Sequence, residues 1–145
     1  MRPRIPSLCL DPLPPQPPEK SWDFVRELRT APVHENLRWS PRRRRPTEAG
    51  FASGVRLDFI FDDPAGVLGT ARADFRLFLK SVGLSSDGPY PIIVRRTHGL
   101  LPEQHSVRVT HEACELLAGD TEGIRRGLIW IEDEMLRRGG PFLGL

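Results

Sequence analysis

Ala118-Gly119-Asp120-Thr121-Glu122-Gly123-Ile124-Arg125-Arg126-Gly127-Leu128-Ile129-Trp130-Ile131-Glu132-Asp133-Glu134-Met135-Leu136-Arg137-Arg138 is followed by Gly139-Gly140-Pro141. This stretch decides the fold. Asp120 or Thr121 is placed to cap a helix, and Gly139-Gly140-Pro141 is placed to end it. Ile124, Leu128, Ile131 and Met135 recur at helical spacing as a core stripe, which Trp130 widens. Arg137 and Arg138 suit the negative C-terminal end. Gly123 and Gly127 stand one turn apart, and each costs ~1 kcal/mol in a helix relative to alanine. Such a pair predicts a helix face pressed so closely on a sheet that any Cβ would clash. Phe142-Leu143-Gly144-Leu145 reads as an apolar tail.

Working outward, Val55, Leu57, Phe59 and Phe61 alternate with Arg56, Asp58 and Ile60, the period of a strand with one buried face. In Asp62-Asp63-Pro64, Asp63 suits an N-cap and Pro64 the first helical position. Leu68, Ala71, Phe75, Phe78 and Val82 then form one helical stripe, with Arg72, Arg76 and Lys80 on another face and Gly83 as terminator. Tyr90–Arg95 reads as a strand buried on both sides. Ser106–Thr110 and Cys114–Ala118 read as a hairpin, although the turn His111-Glu112-Ala113 lacks the favoured Asn-Gly chemistry. A helix over Glu112–Ala118 is the competing reading. The order β-α-β-β-β-α predicts an α+β fold, a four-stranded sheet with two helices packed on one face. Ile60, Ile93 and Leu117 fall on the uncovered face, and apolar residues there suggest a partner surface.

The N-terminal part differs in kind. Seven of the 15 prolines lie between Pro3 and Pro18. Residues 1–50 carry ten Lys+Arg against six Asp+Glu, and residues 51–145 carry eleven against thirteen. Residues 1–50 are therefore expected to be a disordered Pro/Arg-rich leader with a short helix near residues 21–30, where Trp22, Val25 and Leu28 recur. Arg42 to Arg45, between Pro41 and Pro46, is expected to be a solvated linker. The boundary is placed near Thr47 to Ser53, with the α/β domain over residues 54–145. Its near-neutral charge speaks against nucleic acid as a partner. No apolar run approaches the ~20 residues of a membrane span, and the N-terminus is a poor secretion signal, so a cytoplasmic location is expected.

Candidate chemistry is sparse. Glu132-Asp133-Glu134 is the densest carboxylate cluster. Adjacent helical residues point in different directions, whereas acid–base pairs must be held apart across a substrate. A solvated face pairing with Arg125, Arg126, Arg137 or Arg138 is the simpler reading. Asp62-Asp63 lies where α/β folds often bind ligands, but capping already explains Asp63. His34, His98, His105 and His111 lack metal-ligand spacing. Cys9 and Cys114 are too few for a disulfide framework. Ser85-Ser86-Asp87-Gly88 lacks a nucleophile elbow and reads as a turn. Gly119–Gly123 lacks the spacing and lysine of a phosphate loop, and Glu122 would repel an anion. No catalytic, cofactor-binding or metal-binding residue is assigned, and no cofactor is expected.

The Gly-Asp-x-x-Gly-x-x-x-Gly-Leu helix, Gly119 to Leu128, resembles the end of a small α/β domain. That domain precedes the catalytic barrel in bacterial β-N-acetylhexosaminidases and α-glucuronidases. The resemblance covers residues 54–145, and Pro141-Phe142-Leu143 is similar to the passage toward the barrel. It implies a non-catalytic N-terminal accessory domain of a glycoside hydrolase-like protein, with Gly123, Gly127, Leu128 and Trp130 as packing positions. A barrel docked on the open sheet face is the implied partner. Family members continue into a barrel of ~250 residues, whereas this sequence ends at Leu145. A truncated product, an excised domain and a stand-alone descendant are all compatible with that. The alternative is a stand-alone carbohydrate- or protein-binding module using Trp22, Trp39, Tyr90 or Trp130.

Overall fold

The computed structural model describes residues 39–145. The proline arm, the short helix near residues 21–30 and Cys9 lie outside the described residues. Eight elements follow: β1 (Glu48–Gly50), β2 (Val55–Ile60), α1 (Gly69–Ser81), β3 (Tyr90–Arg96), β4 (His105–Val109), β5 (Cys114–Ala118), α2 (Thr121–Arg138) and β6 (Phe142–Gly144). The fold is α+β.

The main sheet runs β2-β3-β5-β4. β2 and β3 are parallel, as are β3 and β5, while β4 and β5 form the antiparallel hairpin. Alternation sends Val55 of β2, Tyr90, Ile92 and Val94 of β3, and Cys114, Leu116 and Ala118 of β5 to one face, where they are buried. There they meet Leu68, Phe75, Phe78 and Leu79 from α1 and its start, and Ile124, Leu128, Ile131 and Met135 from α2. Both helices lie on that one face, and Cys114–Ala118 is strand, not helix.

Local chemistry explains most boundaries. Asp120 Oδ1 accepts from the Gly123 N–H at 2.7 Å, and Gly139 closes α2 in the left-handed region at φ 65°. The hairpin turn does without Asn-Gly because Thr110 Oγ1 accepts from the Glu112 and Ala113 N–H groups, at 3.2 and 3.1 Å. Asp63 does not cap α1. Its carboxylate accepts from Val67 and Leu68 one turn earlier, at 3.0 and 2.9 Å, so the helix starts only at Gly69.

Two features depart from expectation. Phe142-Leu143-Gly144 is no loose tail but β6, paired antiparallel with β1 as Glu48↔Gly144, Ala49↔Leu143 and Gly50↔Phe142. Glu48–Gly50, assigned above to the leader, is thus a strand, with Ala49 fully buried. Nor is the arginine run wholly solvated. Arg42 reaches Glu48, donates to the Arg138 carbonyl at 3.0 Å through Nε, and lies 4.1 Å over the Phe142 ring.

Candidate functional site

The glycine pair lies where its spacing predicts. A Cβ on Gly127 would stand 2.2 Å from Leu116 Cδ1. One on Gly123 would stand 2.4 Å from the Gln104 carbonyl oxygen and 3.0 Å from Ala118 Cβ. α2 is therefore seated directly on β5 and the loop before β4.

Among the described residues the opposite sheet face carries no helix. Strand register places Asp58, Ile93, Glu115 and Arg108 in one row across it, and Ile60, Arg95, Leu117 and Ser106 in the next. Ile60 is 57% exposed, and Ile93 and Leu117 are half-buried. The three apolar residues lie among charged neighbours: Arg56 pairs with Asp58 at 2.8 Å, and Arg95 with Glu115 at 3.7 Å. Arg56 holds the Asp58 carboxyl below its ordinary range. The face is amphipathic rather than purely apolar.

The carboxylates of α2 part company, and only Asp133 is fully exposed. Glu134 is buried, correcting the expectation of a solvated face, and pairs with Arg137 and, at 2.5 Å, with Arg138. Burial works to raise its pKa, but the two guanidiniums overcome that and hold it low. Arg125 and Arg126 pair instead with Glu122, and Arg126 also with Glu103 at 2.7 Å. Glu132 is half-buried and has no cation partner among the described residues. Burial, then the charges of Asp133 and of Asp74 on α1, push its pKa up to about 7.

This has a testable sign. Stability from neutral Glu132 is fully present below its unfolded pKa near 4.5 and is lost as pH rises through about 7. Glu132→Gln should melt with the wild type near about pH 5 and above it near about pH 8.5. Equal melting temperatures at both would show that the carboxyl ionises freely.

The remaining candidates lie apart. Cys114 is buried, and desolvation, then Glu115, push its thiol up to about 12, far from a nucleophile's range. His111 is exposed and meets Arg44 at 3.1 Å, and His105 lies in β4, its pKa lowered by burial and by Arg126. Ser85 belongs to a turn, its Oγ accepting from the Asp87 N–H at 3.2 Å. Among the described residues no group of three or more His, Cys, Asp or Glu could hold a metal ion. Among the aromatic candidates, Tyr90 is buried, its hydroxyl donating to the Thr110 carbonyl at 2.9 Å, and Trp39 packs partly buried on the core. Trp130 departs from the core position assigned to it: it is 38% exposed, next to Ile129 at 55%. No helix among the described residues is long and apolar enough to cross a membrane.

Set against protein-family models, curated proteins and solved structures, the chain matches none.

Proposed function

We propose that this chain is a non-catalytic accessory domain of a glycoside hydrolase-like protein, docking its open sheet face on a catalytic barrel. The observation that carries the reading is the asymmetry of the sheet. One face is sealed by α1 and by a glycine-seated α2, while the other presents Ile60, Ile93 and Leu117 without a covering layer among the described residues.

Size supports a tethered partner over a free one. From strand spacing of ~4.8 Å and ~3.3 Å rise per residue, the face spans roughly 300–400 Å². Free-standing complexes bury about 800 Å² per partner, whereas contacts between domains of one chain start near about 600 Å² in total.

Two measurements test this reading. Pure protein should turn over no aryl-N-acetylglucosaminide or aryl-glucuronide, and saturable hydrolysis would overturn it. The double variant Ile93→Lys/Leu117→Lys should change the stability of the isolated chain by no more than about 1 kcal/mol, as surface changes do. A loss above ~2 kcal/mol would mark the row as core rather than as a docking surface.

The exposure of Trp130 beside Ile129 favours one second reading, a carbohydrate-binding module using α2 as its platform. Titration with chitin- and xylan-derived oligosaccharides, followed by tryptophan fluorescence, tests it. An unchanged signal at millimolar ligand ends it.

A further inference from the structure

Open α/β sheets bind ligands outside the carboxyl ends of their parallel strands. Here those ends belong to β2, β3 and β5. On the helix-covered side, Arg96 of β3 pairs in register with Ala118 of β5. Ile60 pairs with Arg95, so Phe61, the next residue of that chain, adjoins Arg96. The Arg96 guanidinium lies 5.6 Å from the Phe61 ring centre. One alternation back along the same strand, the Arg72 guanidinium of α1 lies 3.8 Å over the Phe59 ring. Two arginines thus stack on two phenylalanines about 7 Å apart along one strand.

Neither arginine has a carboxylate within ion-pair distance among the described residues. Arg72 Nε is buried and has no hydrogen-bond acceptor among the described residues. A buried donor without a partner is costly, and a guanidinium more so than a neutral group.

The acids at this end are largely engaged. Asp63 accepts from the Val67 and Leu68 N–H groups. Asp120 accepts from Gly123 through Oδ1 and from Glu103 through Oδ2, at 2.7 and 2.9 Å. Asp62 is exposed. The first turn of α1 carries no acidic residue of its own, and the carboxylate at its start is that of Asp63.

We infer that Arg72 and Arg96, stacked on Phe59 and Phe61 at the carboxyl end of the parallel strands, form a binding site for an oxyanion. The ligand class is a small molecule bearing a phosphate or carboxylate group. Arg72 supplies the fixed fork through its Nε–H and a terminal N–H, and Arg96 the second, more exposed cation. Each guanidinium lies over a ring face, whose quadrupole favours the cation. This site is separate from the open sheet face and does not depend on the accessory-domain reading.

The test is a titration of the full chain with inorganic phosphate, and separately with acetate. It is followed by the NMR signals of the arginine Nε–H groups, at ionic strength held constant with sodium chloride. A saturable shift of Arg72 Nε–H is expected. Phosphate shifting it at lower concentration than acetate would assign the site to phosphate esters, and the reverse order to carboxylates. Arg72→Met and Arg96→Met should each weaken binding about tenfold or more, while Arg43→Met should leave it unchanged. Should Arg72→Met not fold, Arg72→Lys keeps the charge, loses the fork and should still weaken binding. A linear, unsaturated response to both anions would overturn the site. So would equal weakening by Arg43→Met, which would signal general charge attraction.

Discussion

Glu48→Ala is expected to destabilise the domain by about 3–5 kcal/mol, the cost of leaving buried charge unpaired. The Glu48 side chain is fully buried in β1. Its Oε1 accepts from Arg42 Nη2 at 2.8 Å and from Arg138 Nη1 at 3.1 Å. Its Oε2 accepts from Arg42 Nη1 and from the Arg45 N–H, both at 2.9 Å. Arg138 is shared with buried Glu134. Two carboxylates and two partly buried arginines thus fasten the β1–β6 pair to the end of α2. The Arg42 hydrogen bonds lead in holding the Glu48 pKa down to about 2, against the opposing effect of burial.

The sign follows from that depression. The stabilisation is complete above the ordinary carboxylate pKa near 4.5 and is lost as pH falls toward about 2. Urea unfolding near pH 7 and near about pH 3 should therefore show the variant and wild type converging in acid. A variant within about 1 kcal/mol of wild type near pH 7 would show that the network is dispensable.

The second large effect concerns Gly123. Alanine there gains ~1 kcal/mol of helix propensity, yet its Cβ would meet the Gln104 carbonyl oxygen at 2.4 Å. Backbone cannot rotate away as a side chain can, so α2 must lift from the sheet. Overpacking of this kind costs about 1–3 kcal/mol. Against a backbone obstacle the cost falls at the upper end of that range, about 3 kcal/mol, so less the propensity gain we expect a net loss of ~2 kcal/mol, or roughly 8–16 °C in a domain of this size. Gly127→Ala should cost less, because its obstacle is the Leu116 side chain, though that side chain is itself fully buried. The ordering is the sharper test, read by thermal unfolding of both variants. Alanine raising stability at both positions would mean that neither glycine serves close approach.

These expectations rest on features of unequal visibility in the sequence. The alternation of Val55–Phe61, the stripe through Phe75 and Phe78, and the capped helix from Asp120 to Gly139 are local patterns, and each produced its element. The glycine contacts were legible because spacing on a helix converts directly into a shared face. The Glu48 network was not. Its partners Arg42 and Arg138 stand on either side in sequence, the latter 90 residues away, and no periodicity links them. β1 and β6 are three residues each, too short to show alternation. Trp130 was misplaced because it neighbours the stripe residue Ile131, and one position on a helix turns a side chain by ~100°. The open face was half legible. Alternation put Ile60, Ile93 and Leu117 there, but the ion pairs between them follow from cross-strand register, which the alternation does not contain. The arginine-on-phenylalanine stacks joined residues of α1 and β3 to β2, and only the assembled fold brings those together.

The pairing of β1 with β6 has one more consequence. Glu48 and Gly144 face each other across a two-stranded ribbon, with backbones about 5 Å apart. Polypeptide therefore arrives and departs at one pole. The segment from Glu48 to Gly144 could therefore be spliced into a surface loop of a host scaffold without prising that loop open.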